Sequence, residues 1–362
     1  MKIFIIAGEE SGDLRAADLV EALMKDTRAE FIACGGGHLR AAGCRIVQDI
    51  SQMSVVGFTE VLAHLPRLLR IREELKRSVL RESPDLVIAV DYPGFNIPFL
   101  SWAHAKGFRT CYYILPQIWA WGMDRKERIL GSSDILLSIL PFEQAIYGEK
   151  CHYIGHPVVK KIKTFRSDHP ERVVEKDMIG LFPGSRLNEL KKNLPVMMKT
   201  AELLKGFRFV MNIPSALLPA AREIVSSQGF DCRIETGKYY ETADRCVFAM
   251  ISSGTATLEA ALLGIPFVII YKVSLMSYII GRTVSRIEHI GLPNIVLGRE
   301  AYREFIQSAA EPDAIRAHIM EQIKSLEGYG NASETLAGML GQEDYAVNAS
   351  KHLRNILEAK DV

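Results

Sequence analysis

A chain of 362 residues is too long for one ordinary hydrophobic core, so two domains are the first expectation. Its composition, 48% hydrophobic and 24% charged with a formal net charge of +1, argues against a protein built to coat nucleic acid. The apolar runs fall short of the roughly 20 residues a bilayer span needs, and no cationic leader precedes the first strand, so residence in the cytoplasm is expected.

Short β-branched runs alternate with helical patterns, as in parallel sheets with crossover helices. "KIFIIAG" (2–8) reads as a strand, 13–26 as a helix and "EFIACGGG" (30–37) as a strand entering a glycine turn. A long helix over 59–82 follows, then strand 85–91, helix 96–106 and strands 109–115, 134–140 and 151–157. The polar stretch 158–177 reads as a linker. The alternation then restarts: strand 178–186, helix 188–205, strand 207–213, helix 215–228, strands 231–236 and 246–254, helix 255–263 and strand 266–272. From 302 onward the pattern is mostly helical, with helices at 312–326 and 343–359. The fold class is therefore α/β, with two Rossmann-like domains facing a central cleft. The first spans 1–160, the second 161–340, and a C-terminal helix lies within 341–362. The cysteines (34, 44, 111, 151, 232 and 246) form no C-x-x-C pair and read as small buried hydrophobes.

"AGEESGD" (7–13) follows the first strand, where a phosphate-binding turn often sits, yet it carries Glu9, Glu10 and Asp13. That is a poor phosphate cradle. Three turns of the second half suit an anion better. In "PGSR", Gly184 and Ser185 turn the chain and Arg186 offers a forked cation, although a plain strand-to-helix turn with Arg186 in water reads as well. In "SSGTATLE", Ser252, Ser253, Gly254 and Thr255 open a helix with free N–H groups beside hydroxyls. Glu259 follows one helical turn later, where it can accept from both hydroxyls of a ribose; an N-cap followed by an exposed Glu is the alternative. "GLPNIVLGRE" places Asn294 in a third turn. Together these describe a site for a uridine or similar nucleoside diphosphate.

Asp91 ends the apolar strand "DLVIAVD", so partial desolvation would strengthen it as a base; equally, it could initiate the turn around Pro93 and Gly94. "PQIWAW" presents Trp119 and Trp121 either to a ligand or to the core. No D-x-D triplet occurs, and Gly155 and Pro157 break any helix that would align His152 with His156, so no metal is expected. In helix 59–82 the stripe Val61, Leu65, Leu68, Ile71, Leu75 and Val79 should pack on the sheet. Leu62, Leu69 and Leu80 lie about a quarter-turn round, Arg67, Arg70, Arg77 and Arg81 fall opposite, and "MSVVGF" adds Val56 and Phe58 just upstream. An interfacial element binding anionic lipid and a core helix with a solvated basic face both fit.

"AGEESGD", "GGGHLRAAGC", "VVGFTEVL", "DYPGFN", "PQIWAW", "LPFE", "GHP", "PGSR", "SSGTATLEAALLGIP" and "LPNIVLGRE" occur in the order found in lipid-A-disaccharide synthases, which the chain resembles from its start to about Glu300. The resemblance implies a GT-B fold and an inverting glycosyltransferase without cofactor or metal. It would transfer 2,3-diacylglucosamine from UDP-2,3-diacylglucosamine to the 6-hydroxyl of 2,3-diacylglucosamine 1-phosphate (lipid X). It implies Asp91 as general base, with Glu9 at the acceptor or as second candidate base. Arg186 would neutralise the departing UDP, beside donor contacts from Gly184, Ser185, Ser253, Gly254, Thr255, Glu259 and Asn294. Ser11, Asn96, Trp119, Val56, Phe58, Leu62 and Leu69 are assigned to the acceptor or to the cytoplasmic face of the inner membrane, where the enzyme would bind peripherally. Gly94 stands where some relatives carry a second aspartate, which weakens a two-carboxylate scheme there. The helices beyond residue 300 would cross back onto the first domain or exchange within a homodimer. Rival readings are an epimerase or other transferase acting on soluble UDP-N-acetylglucosamine, and a membrane-docked nucleotide-sugar binder without catalysis.

Overall fold

The computed structural model describes residues 1–53, 58–120, 122–272, 288–341 and 343–358, and for 58–64 and Glu327 the backbone only. Val56 and Trp121 therefore lie outside the described residues, and so do the side chains of Phe58 and Leu62. The chain divides into two compact units, Met1–Pro157 with Glu343–Val362, and Val158–Gln342.

In the first unit the elements are β1 (Lys2–Ala7), α1 (Glu10–Met24), β2 (Glu30–Gly35), α2 (Gly37–Ala41), β3 (Arg45–Asp49), α3 (Phe58–Glu82), β4 (Leu86–Val90), α4 (Pro93–Ala105), β5 (Thr110–Tyr113), α5 (Lys126–Leu130), β6 (Ile135–Ser138), α6 (Glu143–Tyr147) and β7 (Cys151–Tyr153). Its seven strands are parallel in the order β3-β2-β1-β4-β5-β6-β7. Strands covered on both faces need apolar side chains on both, which is why β1 and β4 are nearly unbroken aliphatic runs.

The second unit begins with α7 (Pro157–Asp168) and continues through β8 (Glu175–Phe182), α8 (Leu187–Leu203), β9 (Arg208–Ile213), α9 (Leu218–Ser227), β10 (Arg233–Thr236), α10 (Tyr239–Arg245), β11 (Cys246–Ser252), α11 (Thr255–Leu262) and β12 (Phe267–Tyr271). It closes with α12 (Leu292–Leu297), β13 (Glu304–Ile306), α13 (Pro312–Gln322) and α14 (Glu327–Met339). Its parallel sheet runs β10-β9-β8-β11-β12-β13.

Three expectations need correction. The expected linker 158–177 is largely α7 and the start of β8; Val158, Val159, Ile162 and Phe165 form a buried stripe that the intervening lysines disguise. The edge strands β3 and β13 were not foreseen, because short edge strands carry charge and lack an aliphatic run. In α3, Ile71, Leu75 and Val79 enter the core as expected and Leu68 packs at its margin, but Leu65 is 46% exposed. At 25 residues α3 is about 37 Å long, roughly twice the span of the five-residue strand β4, so its first turns outrun the sheet.

The last helix, α15 (Tyr345–Glu358), lies on α1, where Tyr345, Ala346, Ala349, Leu353 and Leu357 share a core with Leu19, Val20 and Leu23. The Tyr345 phenol donates to Asp18 and Asn348 Nδ2 to the Ile154 carbonyl at 3.2 Å. Because Leu353 is fully buried, Leu353→Ala should cost the first unit about 2–5 kcal/mol. Hydrogen exchange checks this: amides of β1 and α1 should lose protection while those of β8 and β11 keep it, and equal loss in both units would contradict the packing described.

Candidate active site

In each sheet the strand order reverses once, between β1 and β4 in the first unit and between β8 and β11 in the second. Connections leave in opposite directions there, which opens a crevice at the carboxyl ends of the strands. The turns after these four strands hold Glu9, Asp91, Arg186 and the run Ser252–Thr255. These residues, all singled out from sequence, thus fall at the two switch points, whereas Trp119, Asn294 and Leu69 lie elsewhere in their units.

In the first unit, Asp91 and Tyr92 adopt successive left-handed conformations (φ 45° and 46°), which costs non-glycine residues about 1–3 kcal/mol each. The surroundings enforce the turn. Asn96, fully buried on α4, donates through Nδ2 to the carbonyls of Val90 (3.0 Å) and Asp91 (2.8 Å), and the Tyr112 phenol donates to the Asp91 carbonyl at 3.0 Å. The Tyr92 ring lies on Gly8, where a Cβ would stand 2.3 Å from the ring, so the residue after β1 must be glycine. Burial, and secondarily the negative charge of Glu9, push the Asp91 carboxyl up to about 6.

The three acids of the opening turn separate by environment. Asp13 is buried, and its carboxylate accepts from the backbone N–H groups of Gly36 (2.6 Å) and His38 (2.8 Å), fastening the glycine turn after β2. Glu10 is exposed beside His38, and Glu9 is exposed and accepts from the Ser11 hydroxyl at 2.9 Å. Trp119 packs edge-on to Phe142 with ring centroids 5.2 Å apart, and its Nε1 donates to Glu143 Oε1 at 3.2 Å. Glu143 is fully buried, its Oε2 has no hydrogen-bond partner among the described residues, and burial pushes its carboxyl up to about 8.

In the second unit three loops are tied into one rim. Asn193, fully buried on α8, donates to the Pro183 carbonyl (3.2 Å) and to Ser252 Oγ (2.9 Å), and accepts from the Lys272 N–H (2.8 Å). It thereby joins the turns after β8, β11 and β12. Ser253 Oγ donates to the Ile290 carbonyl at 2.8 Å, which adds the segment leading into α12. Asn294 is buried within that segment rather than presented to solvent. Its amide donates to the Tyr302 carbonyl (2.7 Å) and Glu304 Oε1 (2.8 Å), and its Oδ1 accepts from the N–H groups of Ala301 and Tyr302 (2.9 Å each).

Arg186 is 80% exposed, and its guanidinium donates to Glu189 Oε1 at 2.9 Å. Glu189 also accepts from the N–H groups of Ser185 (2.9 Å) and Arg186 (3.3 Å), so the start of α8 is already capped by a carboxylate. Gly184 (φ 120°) allows this, since a Cβ there would lie 2.6 Å from the Glu189 Cβ. Gly254 and Thr255 are exposed at the start of α11, and Glu259 accepts from the Tyr240 phenol at 2.7 Å. Asn193, Glu189 and Tyr240 were not singled out from sequence. Only Glu189 had a readable signal, a Glu at the third helical position after a strand-to-helix turn. Among the described residues, no three His, Cys, Asp or Glu side chains converge as a metal site.

A family model described as lipid-A-disaccharide synthetase matches residues 3–352. The chain is 40% identical over 333 residues to the lipid-A-disaccharide synthase of Syntrophus aciditrophicus, covering 88% of this chain and 87% of that protein. It is 36% identical over 374 residues to that of Geobacter metallireducens, covering 94% and 96%. Among solved structures it is similar to a UDP-GlcNAc 2-epimerase from Neisseria meningitidis bound to UDP-GlcNAc, with TM-score 0.66, 13% identity and coverage of 99% and 100%. The glycotransferase of kitacinnamycin matches with TM-score 0.64, 12% identity and coverage of 98% and 99%. At such identities these structures speak to the fold alone, which is the GT-B type.

Glu143 makes stability depend on pH with a definite sign. The folded state holds this proton to about pH 8 whereas an ordinary glutamate releases it near 4.5, so stability falls as pH rises between the two. Glutamine mimics the neutral carboxyl. Urea unfolding should therefore find Glu143→Gln close to wild type near pH 5 and more stable near pH 8.5; parallel pH dependence of the two proteins would contradict the assignment.

Proposed function

The chain belongs to the lipid-A-disaccharide synthetase family of glycosyltransferases, and on that premise we propose that it transfers 2,3-diacylglucosamine from its UDP derivative to the 6-hydroxyl of lipid X, with inversion at the anomeric carbon. The observation that carries the reading is Asp91, a carboxylate held in an enforced left-handed turn at a switch point with its pKa raised to about 6. Such a group is ionised at neutral pH yet more basic than a solvated aspartate, as a general base should be.

In this reading Asp91 takes the proton of the acceptor hydroxyl as its oxygen forms the new bond to the anomeric carbon. The bond to the β-phosphate breaks in the same displacement and its electron pair leaves with UDP. A single displacement places nucleophile and leaving group on opposite faces, so the configuration inverts. Glu9 keeps Asp91 basic and, with Ser11, offers hydrogen bonds to the acceptor sugar. Asn96 and Asn294 serve by fixing loops from within. The donor lies on the rim of the second unit, its ribose against Glu259 and its diphosphate near Ser253, Gly254, Thr255 and Arg186. The Arg186–Glu189 pair is exposed, and such pairs are worth at most about 1 kcal/mol, so a diphosphate can draw the guanidinium away.

Both substrates carry acyl chains, and α3 offers a surface for the membrane that holds them, which we place at the cytoplasmic face of the inner membrane. Leu65, Leu69 and Leu80 are 46%, 41% and 53% exposed, and Arg67, Arg70, Arg77 and Arg81 are exposed on the same helix. Apolar side chains edged by arginines suit an anionic bilayer surface. No helix among the described residues is long and apolar enough to cross one.

Asp91→Asn should lower kcat by about 10²–10⁴-fold with the fold intact. In the wild type kcat/KM should rise with pH through an inflection near 6, and Glu9→Gln should move that limb to lower pH because it removes a charge that raises the Asp91 pKa. An unmoved limb would remove Glu9 from the control of that pKa, and a limb absent from the wild type would remove Asp91 from the proton transfer. Leu65→Ser combined with Leu69→Ser should weaken sedimentation with anionic vesicles while leaving UDP affinity unchanged; undiminished sedimentation would exclude this face of α3.

A further inference from the structure

We propose that Tyr240 is a positioning residue of the donor site: its phenol fixes the Glu259 carboxylate in the orientation that accepts the ribose hydroxyls, and so sets the preference for ribonucleotides over 2′-deoxyribonucleotides. The proposal rests on the reading of Glu259 as the ribose carboxylate.

Glutamate on a helix has three rotatable side-chain bonds and ordinarily samples several rotamers, which makes it a poor template for a cis-diol. Here the Tyr240 hydroxyl donates to Glu259 Oε1 at 2.7 Å, the distance of a charge-assisted O–H···O⁻ bond. A carboxylate offers about four lone-pair directions, so accepting from the phenol is compatible with accepting from sugar hydroxyls as well. The phenol is itself held. Its ring is 5.4 Å from that of Phe165 on α7 and 5.6 Å from that of Tyr239. Tyr239 in turn packs on Phe182 at the end of β8 (5.0 Å) and donates to the Ala256 carbonyl in the first turn of α11 at 2.6 Å. Adjacent tyrosines of α10 thus grip one helix at two points, its first turn through the backbone and its carboxylate through the side chain. Tyr239 anchors the helix. Only the Tyr240 bond ends on a group that the donor would touch.

Tyr240→Phe keeps the ring and its packing and removes one hydroxyl, so the variant separates positioning from architecture. The experiment is calorimetric titration of the full-length wild type, Tyr240→Phe and Glu259→Gln with UDP and with 2′-deoxy-UDP, together with donor steady-state kinetics and melting temperatures. Wild type should prefer UDP by about 10–100-fold, the range expected when a charged acceptor loses a hydroxyl partner. Tyr240→Phe should bind UDP several-fold more weakly and 2′-deoxy-UDP nearly as the wild type does, with donor KM raised, kcat retained and the melting temperature unchanged. Equal weakening toward both nucleotides, or an undiminished preference for UDP, would overturn the role of Tyr240 while Glu259→Gln still abolished the preference. If the wild type shows no preference, or Glu259→Gln keeps it, the ribose reading of Glu259 falls and the proposal falls with it.

Discussion

Wherever the chain leaves the carboxyl end of a parallel strand, backbone carbonyls and N–H groups pass out of the sheet and must find partners without water. This protein meets that constraint with buried asparagine amides. Asn96 closes the turn after β4, Asn193 joins the turns after β8, β11 and β12, and Asn294 with Glu304 organises the segment from Ile290 to Tyr302. Each asparagine is fully buried. An amide suits the task because it donates and accepts at once without bringing a charge into the interior. The candidate site depends on these bonds: Asp91 keeps a left-handed turn, and the hydroxyl-bearing loop beside Gly254 stays aligned with the arginine turn.

The two units solve one topological problem with opposite electrostatics. Both sheets repeat the order 3-2-1-4-5-6 with a single reversal, the first adding one more edge strand. At the first reversal Glu9 and Asp91 approach one another, and burial with like charge raises the pKa of Asp91. At the second stand an arginine, helix starts and hydroxyls. A carboxylate pair suits hydroxyl groups and proton transfer; a rim of N–H groups and hydroxyls, with an exposed arginine that a diphosphate can draw from Glu189, suits a diphosphate. That division is the physical ground for the proposal that acceptor chemistry belongs to one unit and the nucleotide to the other.

Much of this was legible in the sequence because parallel strands leave a strong mark: an aliphatic run ending in a polar turn. That mark located β1, β4, β8 and β11 and, at their ends, Glu9, Asp91, Arg186 and Gly254. The residues that hold those turns in place left no comparable mark. Asn193 sits mid-helix in "LKKNLPVM", where it reads as a weak helix former, and only the convergence of three loops explains it. Tyr240 in "GKYYET" and Glu143 in "LPFE" likewise acquire meaning only from partners far away in the chain. Asn294 reads from sequence as a donor contact, but its amide is buried in bonds to Tyr302, Glu304 and Ala301. In α7 the lysines interrupt a regular apolar stripe, so its composition is polar although its spacing is that of a buried helix face.

The most direct test of the account is UDP release by the wild-type protein in detergent micelles, with UDP-2,3-diacylglucosamine as donor, followed by NMR of the anomeric linkage in the product. Release should require 2,3-diacylglucosamine 1-phosphate, with one disaccharide formed per UDP and a β-linkage from the α-linked donor. Release that ignores the acceptor, a retained configuration, or turnover of unacylated UDP-N-acetylglucosamine alone would contradict the proposed transfer.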